Sequence, residues 1–223
     1  MTKKRFFITF EGPEGSGKTT QVNLLMKYLK TQCYQVIKTK EPGGTLVGQR
    51  LRRILLSYKT KKLLPQAELF LMLADRAQHV QEVIRPALKN GQGVICDRYS
   101  DATLAYQGYG RGLNIKWLKE LNQQATGNLT PHLTFLLNLS AAEGLKRARQ
   151  TKTYLGEKGK GDRFEQEQAA FHERVGRGYL ALARQEPQRF KVIAVSKKSI
   201  VAVAREIKAV SYTHLTLPTT PYV

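Results

Sequence analysis

Hydrophobic positions along the chain follow two alternating rhythms. Short runs at Phe6–Phe10, Gln35–Thr39, Gly93–Asp97, Leu133–Leu139 and Phe190–Val195 are rich in apolar, aromatic and β-branched residues and read as strands. Between them, apolar residues recur every three or four positions. Leu24, Leu25, Tyr28 and Leu29 predict a helix that starts near Lys18. Leu46 to Leu56 predicts a second. Pro65 opens a third, at a position where a missing N–H does no harm. Leu69, Phe70, Leu73, Ala77 and Val80 carry that helix on toward Leu88. Further helices are predicted over Ile115–Ala125, after the capping box Ser140–Glu143, from Asp162 to about Arg184, and over Ile200–Ala209. Strands alternate with helices throughout. That pattern predicts a three-layer α/β/α domain around a five-stranded parallel sheet.

The chain has 223 residues, 41% of them hydrophobic, enough for one sizeable core. No apolar run approaches the ~20 residues of a membrane helix. Phe6–Phe10 is also too short for the apolar stretch of a signal peptide. A cytoplasmic protein with no membrane partner is expected. Cys33 and Cys96 fit no metal spacing and are expected as reduced thiols. The formal net charge of +20 favours polyanionic partners. Basic residues are densest at Arg50–Lys62 and Lys146–Lys160, without the interleaved aromatics of a nucleic-acid face. Charge therefore points to an anionic substrate more than to nucleic acid. Residues 211–223 carry no Asp, Glu, Lys or Arg and break with the rest of the chain. They are expected to lie outside the fold, which leaves 1–210 as the domain.

The strongest chemical signal is Gly12-Pro13-Glu14-Gly15-Ser16-Gly17-Lys18-Thr19, which fits the phosphate-loop pattern G-x-x-x-x-G-K-[ST]. A strand precedes it and a helix follows through Thr20, as the pattern requires. Loop N–H groups and the helix N-terminus form an anion cradle. Lys18 is expected at the β and γ phosphates, and the Thr19 hydroxyl at Mg²⁺. The third strand ends in Asp97, where a Mg²⁺–nucleotide site places a carboxylate. The same side chain could cap a helix, a role Ser100 or Asp101 would serve equally. Arg98 and Tyr99 follow at the carboxyl end of the strand, where open α/β sheets bind ligands. Tyr106 and Gln107 could read a base by stacking and amide hydrogen bonding, or simply pack and cap a loop. Thr151–Gly161 combines Gly156, Gly159 and Gly161 with Lys152, Lys158 and Lys160. It reads as a mobile lid over phosphates, or as a solvated loop.

Taken in order, these segments resemble the bacterial thymidylate kinase family, P-loop nucleoside monophosphate kinases. The resemblance covers about residues 5–209. It rests on Glu11–Thr20, Glu41-Pro42-Gly43-Gly44-Thr45, Ala74-Asp75-Arg76-Ala77-Gln78-His79, Asp97-Arg98-Tyr99, Ala105-Tyr106-Gln107-Gly108 and Asp162-Arg163-Phe164-Glu165-Gln166. It implies a P-loop NTPase fold and the reaction ATP + dTMP → ADP + dTDP, with Mg²⁺, in a homodimer. It also implies that Arg76 and Arg98 grip the dTMP phosphate and that Glu14 lies near the dTMP sugar. Asp97 would help organise Mg²⁺, Tyr106 and Gln107 would belong to the nucleoside pocket, and Glu165 would lie near the acceptor. Pro13–Ser16 contain no base, so the resemblance assigns the catalytic cation to the lid region, with Arg149 or Arg163 as the expected residue. Two positions depart from the family pattern. Met72 stands where a thymine-stacking aromatic is usual. Ala102 stands where many relatives have serine, which passes a base contact to Thr103. Alternative readings are another P-loop nucleoside or nucleotide kinase, or a basic nucleic-acid-binding protein with a nucleotide site.

Overall fold

The computed structural model describes residues 5–60, 63–151, 153–154, 157–158 and 162–216. Chain order is β1 (Phe7–Glu11), α1 (Lys18–Thr31), β2 (Val36–Lys40), α2 (Leu46–Leu56), α3 (Pro65–His79), α4 (Arg85–Lys89), β3 (Gly93–Asp97), α5 (Ser100–Thr103), α6 (Ile115–Thr126), β4 (Leu133–Asn138), α7 (Ala141–Thr151), β5 (Thr153–Tyr154), β6 (Glu157–Lys158), α8 (Ala169–Gln185), β7 (Phe190–Ala194) and α9 (Ile200–Thr216). The five strands expected from the apolar runs form one sheet in the order β2-β3-β1-β4-β7, with every neighbouring pair parallel.

β1 is the middle strand, and all five of its residues are buried. Phe6, Ile8 and Phe10 pack with Val22, Leu25 and Leu29 of α1 and with Val203 and Ile207 of α9. Phe7 belongs to a separate cluster with Val80, Ile84 and Tyr99. A strand covered on both faces must be apolar almost throughout. Its one hydroxyl, on Thr9, is paired with the Thr134 hydroxyl at 2.8 Å. β1 has β3 on one side and β4 on the other, so the chain changes direction across the sheet at this strand. Such a switch opens a crevice beyond the carboxyl ends of the strands. The loop Gly12–Gly17 lies in that crevice.

Four segments differ from the sequence reading. The helix from Pro65 widens to a π-helical turn at Val80–Ile84 before α4. Pro86 lacks the N–H that an α-helical turn needs and would crowd a carbonyl four residues back, which the wider turn relieves. Leu104–Gly110 is also π-helical rather than a loop after a short helix. Asp162–Glu165 do not start a helix. Asp162 Oδ1 accepts the N–H groups of Phe164 and Glu165, both at 3.0 Å, and this local bonding holds a turn, so α8 begins only at Ala169. Finally, α9 runs past Val210 to Thr216. Ser211 is buried, and Val210 and Leu215 pack on the core. An uncharged segment can lie there without burying a charge. Residues 217–223 lie outside the described part.

The stretch expected as a lid also falls largely outside it, including Lys152, Lys160 and the three glycines. Within that stretch β5 pairs antiparallel with β6. Cys33 and Cys96 are both free thiols. Among the described residues no helix is long and apolar enough to cross a membrane.

Candidate active site

The phosphate loop takes its shape from backbone conformations that favour glycine. Gly12, Gly15 and Gly17 have φ of 137°, 67° and 87°. A Cβ at Gly15 would also lie 2.1 Å from the Gly144 carbonyl oxygen. No side chain caps α1, so its first N–H groups remain for an anion. Lys18 Nζ donates to the Gly12 and Pro13 carbonyls at 3.1 and 2.8 Å. Burial, with Arg98 nearby, pushes this amine down to about 8. The Thr19 hydroxyl donates to Asp97 Oδ2 at 2.7 Å. Asp97 therefore faces the phosphate loop, not the start of α5. Gly15–Thr20 and Asp97 form one side of a large cavity, and Arg147, Gln150 and Lys198 also line it.

A second pocket adjoins it on the other side of the loop, lined by Met72, Arg76, Ala102, Thr103, Tyr106 and Gln107 among others. Glu14, Glu41, Arg52 and Arg98 line both spaces. Two carboxylates and two guanidinium groups thus mark the junction.

Arg98 is held there from several directions. Its Nη2 donates to Glu14 Oε1 at 2.6 Å, and its Nη1 to the Gly12 carbonyl at 3.0 Å and the Tyr179 hydroxyl at 3.1 Å. Its guanidinium lies 4.9 Å from the Tyr106 ring centre. Tyr106 donates its hydroxyl to Glu14 Oε1 at 3.0 Å. Arg52 Nη1 donates to the Pro42 carbonyl at 2.8 Å, which brings α2 to the same junction.

Arg76 is set deeper, only 2% exposed. Its Nε donates to Glu41 Oε2 at 2.8 Å, its Nη1 to Thr103 at 2.8 Å and Asn122 at 2.7 Å, and its Nη2 to the Tyr99 carbonyl at 3.0 Å. Glu41 also pairs with His79 Nδ1 at 2.9 Å. Arg76 therefore belongs to the second pocket alone, while Arg52 accompanies Arg98 at the junction. Asp75, next to this network, accepts the Gly43 N–H at 2.9 Å, and burial together with Glu41 pushes its carboxyl up to about 6.

Glu68 is a further hub, fully buried. It receives Gln107 Nε2 at 2.7 Å, Arg111 Nη2 at 3.1 Å and Arg163 Nη1 at 2.6 Å. Arg163 Nε also donates to the Leu55 carbonyl at 3.0 Å. The Asp162 turn is thereby fastened to α2 and α3. It presents Asp162 and Phe164 to the second pocket, while Glu165 is buried with its N–H in that turn. The two arginines expected to supply the catalytic cation stand elsewhere. Arg163 is in the Glu68 network, and Arg149 is exposed on α7, where Arg147 is the arginine that lines the cavity beside the phosphate loop. Arg52 and Glu68 were not singled out from sequence, and Glu41, quoted within a motif, and Arg147 were given no role of their own. Arg52 sits in the basic segment Arg50–Lys62, and Gly48, one turn earlier on α2, packs against Asp75. Helical register at that glycine was the available signal.

The family model for thymidylate kinase matches residues 10–207, which takes in every residue of both cavities. The chain belongs to the thymidylate kinase family. A thymidylate kinase of Desulfovibrio desulfuricans is 53% identical over 191 residues, covering 86% of this chain and 88% of its own. One from Syntrophotalea carbinolica is 55% identical over 188 residues, with 84% and 87% covered. The crystal structure of thymidylate kinase from Ehrlichia chaffeensis is similar with a TM-score of 0.74 at 33% identity, covering 93% of this chain and 98% of that one. The two cavities share one charged wall, formed by Glu14, Glu41, Arg52 and Arg98.

Proposed function

We propose that the chain transfers the γ-phosphoryl group of ATP to dTMP, giving ADP and dTDP. One observation carries this reading: the donor-side cavity and the second pocket meet at Glu14, Glu41, Arg52 and Arg98. ATP phosphates lie along the glycine loop, and dTMP enters the pocket with its phosphate toward the junction. The attacking phosphate oxygen is already an anion and needs no general base. Positioning and charge neutralisation remain, and arginine suits both because its planar fork binds phosphate bidentately. Arg98 and Arg52 hold the acceptor phosphate, Lys18 holds the donor, and Arg147 adds positive charge from α7 in place of Arg149 or Arg163. Met72, Thr103, Tyr106 and Gln107 surround the base, with Arg76 fixed behind them.

The Thr19 hydroxyl and Asp97 carboxylate, 2.7 Å apart on the donor cavity, are hard oxygen donors that fit Mg²⁺. When bound, Mg²⁺ supplies charge neutralisation on the phosphates. Leu46, Val47 and Ile54 of α2, with Leu64 just before α3 and Phe70 within it, are exposed apolar residues, and Phe70 meets Trp117 edge-on at 6.3 Å. They support a homodimer, which light scattering would test. The absence of a spanning helix among the described residues is compatible with a cytoplasmic setting.

The test is ADP release with ATP and Mg²⁺ across dTMP, dUMP, UMP, CMP and thymidine. Turnover highest with dTMP is expected. Turnover highest with another compound would reassign the substrate, and none with any monophosphate would end the monophosphate-kinase reading.

A further inference from the structure

Arg98 has an unusual backbone: its φ is 70°, in the left-handed region, though it is not glycine. Something must hold it there, because the conformation costs about 1 kcal/mol or more. Glu11, the last residue of β1 and fully buried, reaches it from two sides. Oε1 accepts the Tyr99 N–H at 2.8 Å, on the residue immediately after Arg98. Oε2 is bonded at 2.8 Å to the Tyr179 hydroxyl, and that oxygen accepts Arg98 Nη1 at 3.1 Å. Tyr179 is itself only 1% exposed, in α8, with its ring packed edge-on against Tyr106 at 6.3 Å.

We propose that Glu11 and Tyr179 form a clamp that positions Arg98, one carboxyl group fixing both its backbone and, through the tyrosine hydroxyl, its guanidinium. Neither residue reaches the substrate pockets; both act through Arg98 as positioning residues. Burial and the nearby Asp101 push the Glu11 carboxyl up to about 8, while Arg98, Tyr179 and Tyr99 pull the other way. An ionised Glu11 accepts the tyrosine O–H, and the tyrosine oxygen in turn accepts from Arg98. The geometry also ties the junction to α8, the helix that follows the Asp162 turn. Docking of α8 thus supplies one of the bonds that hold Arg98 in place.

The inference rests on the reading that Arg98 grips the acceptor phosphate, and its test separates the two. Tyr179→Phe keeps the ring and removes the bridging oxygen. Binding of dTMP and of thymidine, which lacks the phosphate, is measured for wild type, Tyr179→Phe and Arg98→Ala, together with kcat and both KM values. The expected result for Tyr179→Phe is about a tenfold loss of kcat/KM for dTMP, the scale of one hydrogen bond to a charged group. KM for ATP and thymidine affinity should stay within about twofold of wild type, the spread expected when no hydrogen bond to either ligand is lost. If Arg98→Ala loses the preference for dTMP over thymidine and Tyr179→Phe does not, the clamp is wrong. If Tyr179→Phe weakens both ligands equally, its role is only structural and the clamp is again wrong. If Arg98→Ala keeps the preference, the phosphate assignment fails instead, and the clamp loses its function. Should Tyr179→Phe not fold, ¹⁵N spectra of the wild-type arginine side chains decide. A nuclear Overhauser contact between an Arg98 Nη proton and the Tyr179 hydroxyl supports the clamp, and a single averaged Arg98 Nη signal overturns it.

Discussion

The two halves of the site are built in different ways. The donor side is dominated by one continuous stretch, Gly12–Thr20, whose shape comes from backbone conformations and whose cation, Lys18, is part of the same loop. The second pocket, proposed for the acceptor, takes side chains from α2, α3, α5, the turn after β3, the π-helical turn Leu104–Gly110 and the Asp162 turn, with Glu14 and Glu41 at its edge. Those side chains are kept in place by three buried carboxylates, Glu11, Glu41 and Glu68, each bonded to partners far away in sequence. A backbone site is specified locally and tolerates distant change. A side-chain site is specified globally, and damage to one hub should spread through it.

The largest expected effect breaks the local half. Lys18→Ala should lower kcat by about 10³-fold, the upper scale for removing one preorganised charge stabiliser, while leaving the thermal transition within about 2 °C. Steady-state rates and calorimetry together check this. A large loss of stability would mean that the loop is not the self-contained unit described.

The next effect breaks the distributed half. Glu68→Gln leaves Arg111 and Arg163 without their shared buried anion and should cost about 3 kcal/mol of folding stability, read from urea denaturation. It should also weaken dTMP binding more than ATP binding, because the one amide oxygen that remains cannot serve Gln107, Arg111 and Arg163 together and the Asp162 turn loses its ion pair to α3. Equal weakening of both nucleotides would erase the contrast between the halves.

A pH titration sharpens the comparison. Lys18 is pushed down to about 8 by burial and by Arg98, so the free enzyme loses that charge as pH rises through about 8. kcat/KM for ATP should then fall about tenfold per pH unit on the alkaline side. The limb in kcat should lie higher, because bound phosphates favour the charged amine. A profile flat to pH 9.5 would contradict the placement. The smallest effect concerns the base. Met72→Phe puts an aromatic ring on the acceptor pocket and should lower KM for dTMP about threefold, a modest stacking gain.

The same contrast explains what was legible beforehand. The apolar runs located all five strands of the main sheet, and the glycine spacing located the phosphate loop, because both are properties of neighbouring residues. Thr19 and Asp97, each expected at Mg²⁺ from its own segment, are brought together at the crevice, 2.7 Å apart. Arg163 shows where this stops. Its position after a glycine-rich stretch resembles that of a lid cation, but Glu68, nearly a hundred residues earlier, draws it into a buried pair. Glu11 passed as part of a motif because its partners, Tyr99 and Tyr179, lie on distant elements. Local turn chemistry also hid from periodicity: the Asp162 side chain captures two backbone N–H groups and delays α8, and Pro86 widens the turn before it.

The central claim is that one charged wall serves two phosphate sites laid end to end. A single compound tests it most directly: adenosine and thymidine joined through a chain of five phosphates, its Kd measured by calorimetry beside those of ATP and dTMP. Simultaneous occupation of both cavities predicts binding at least ~10²-fold tighter than either nucleotide alone, together with competition against both. An affinity no better than that of ATP, with dTMP still able to bind, would show that the two cavities do not meet as described.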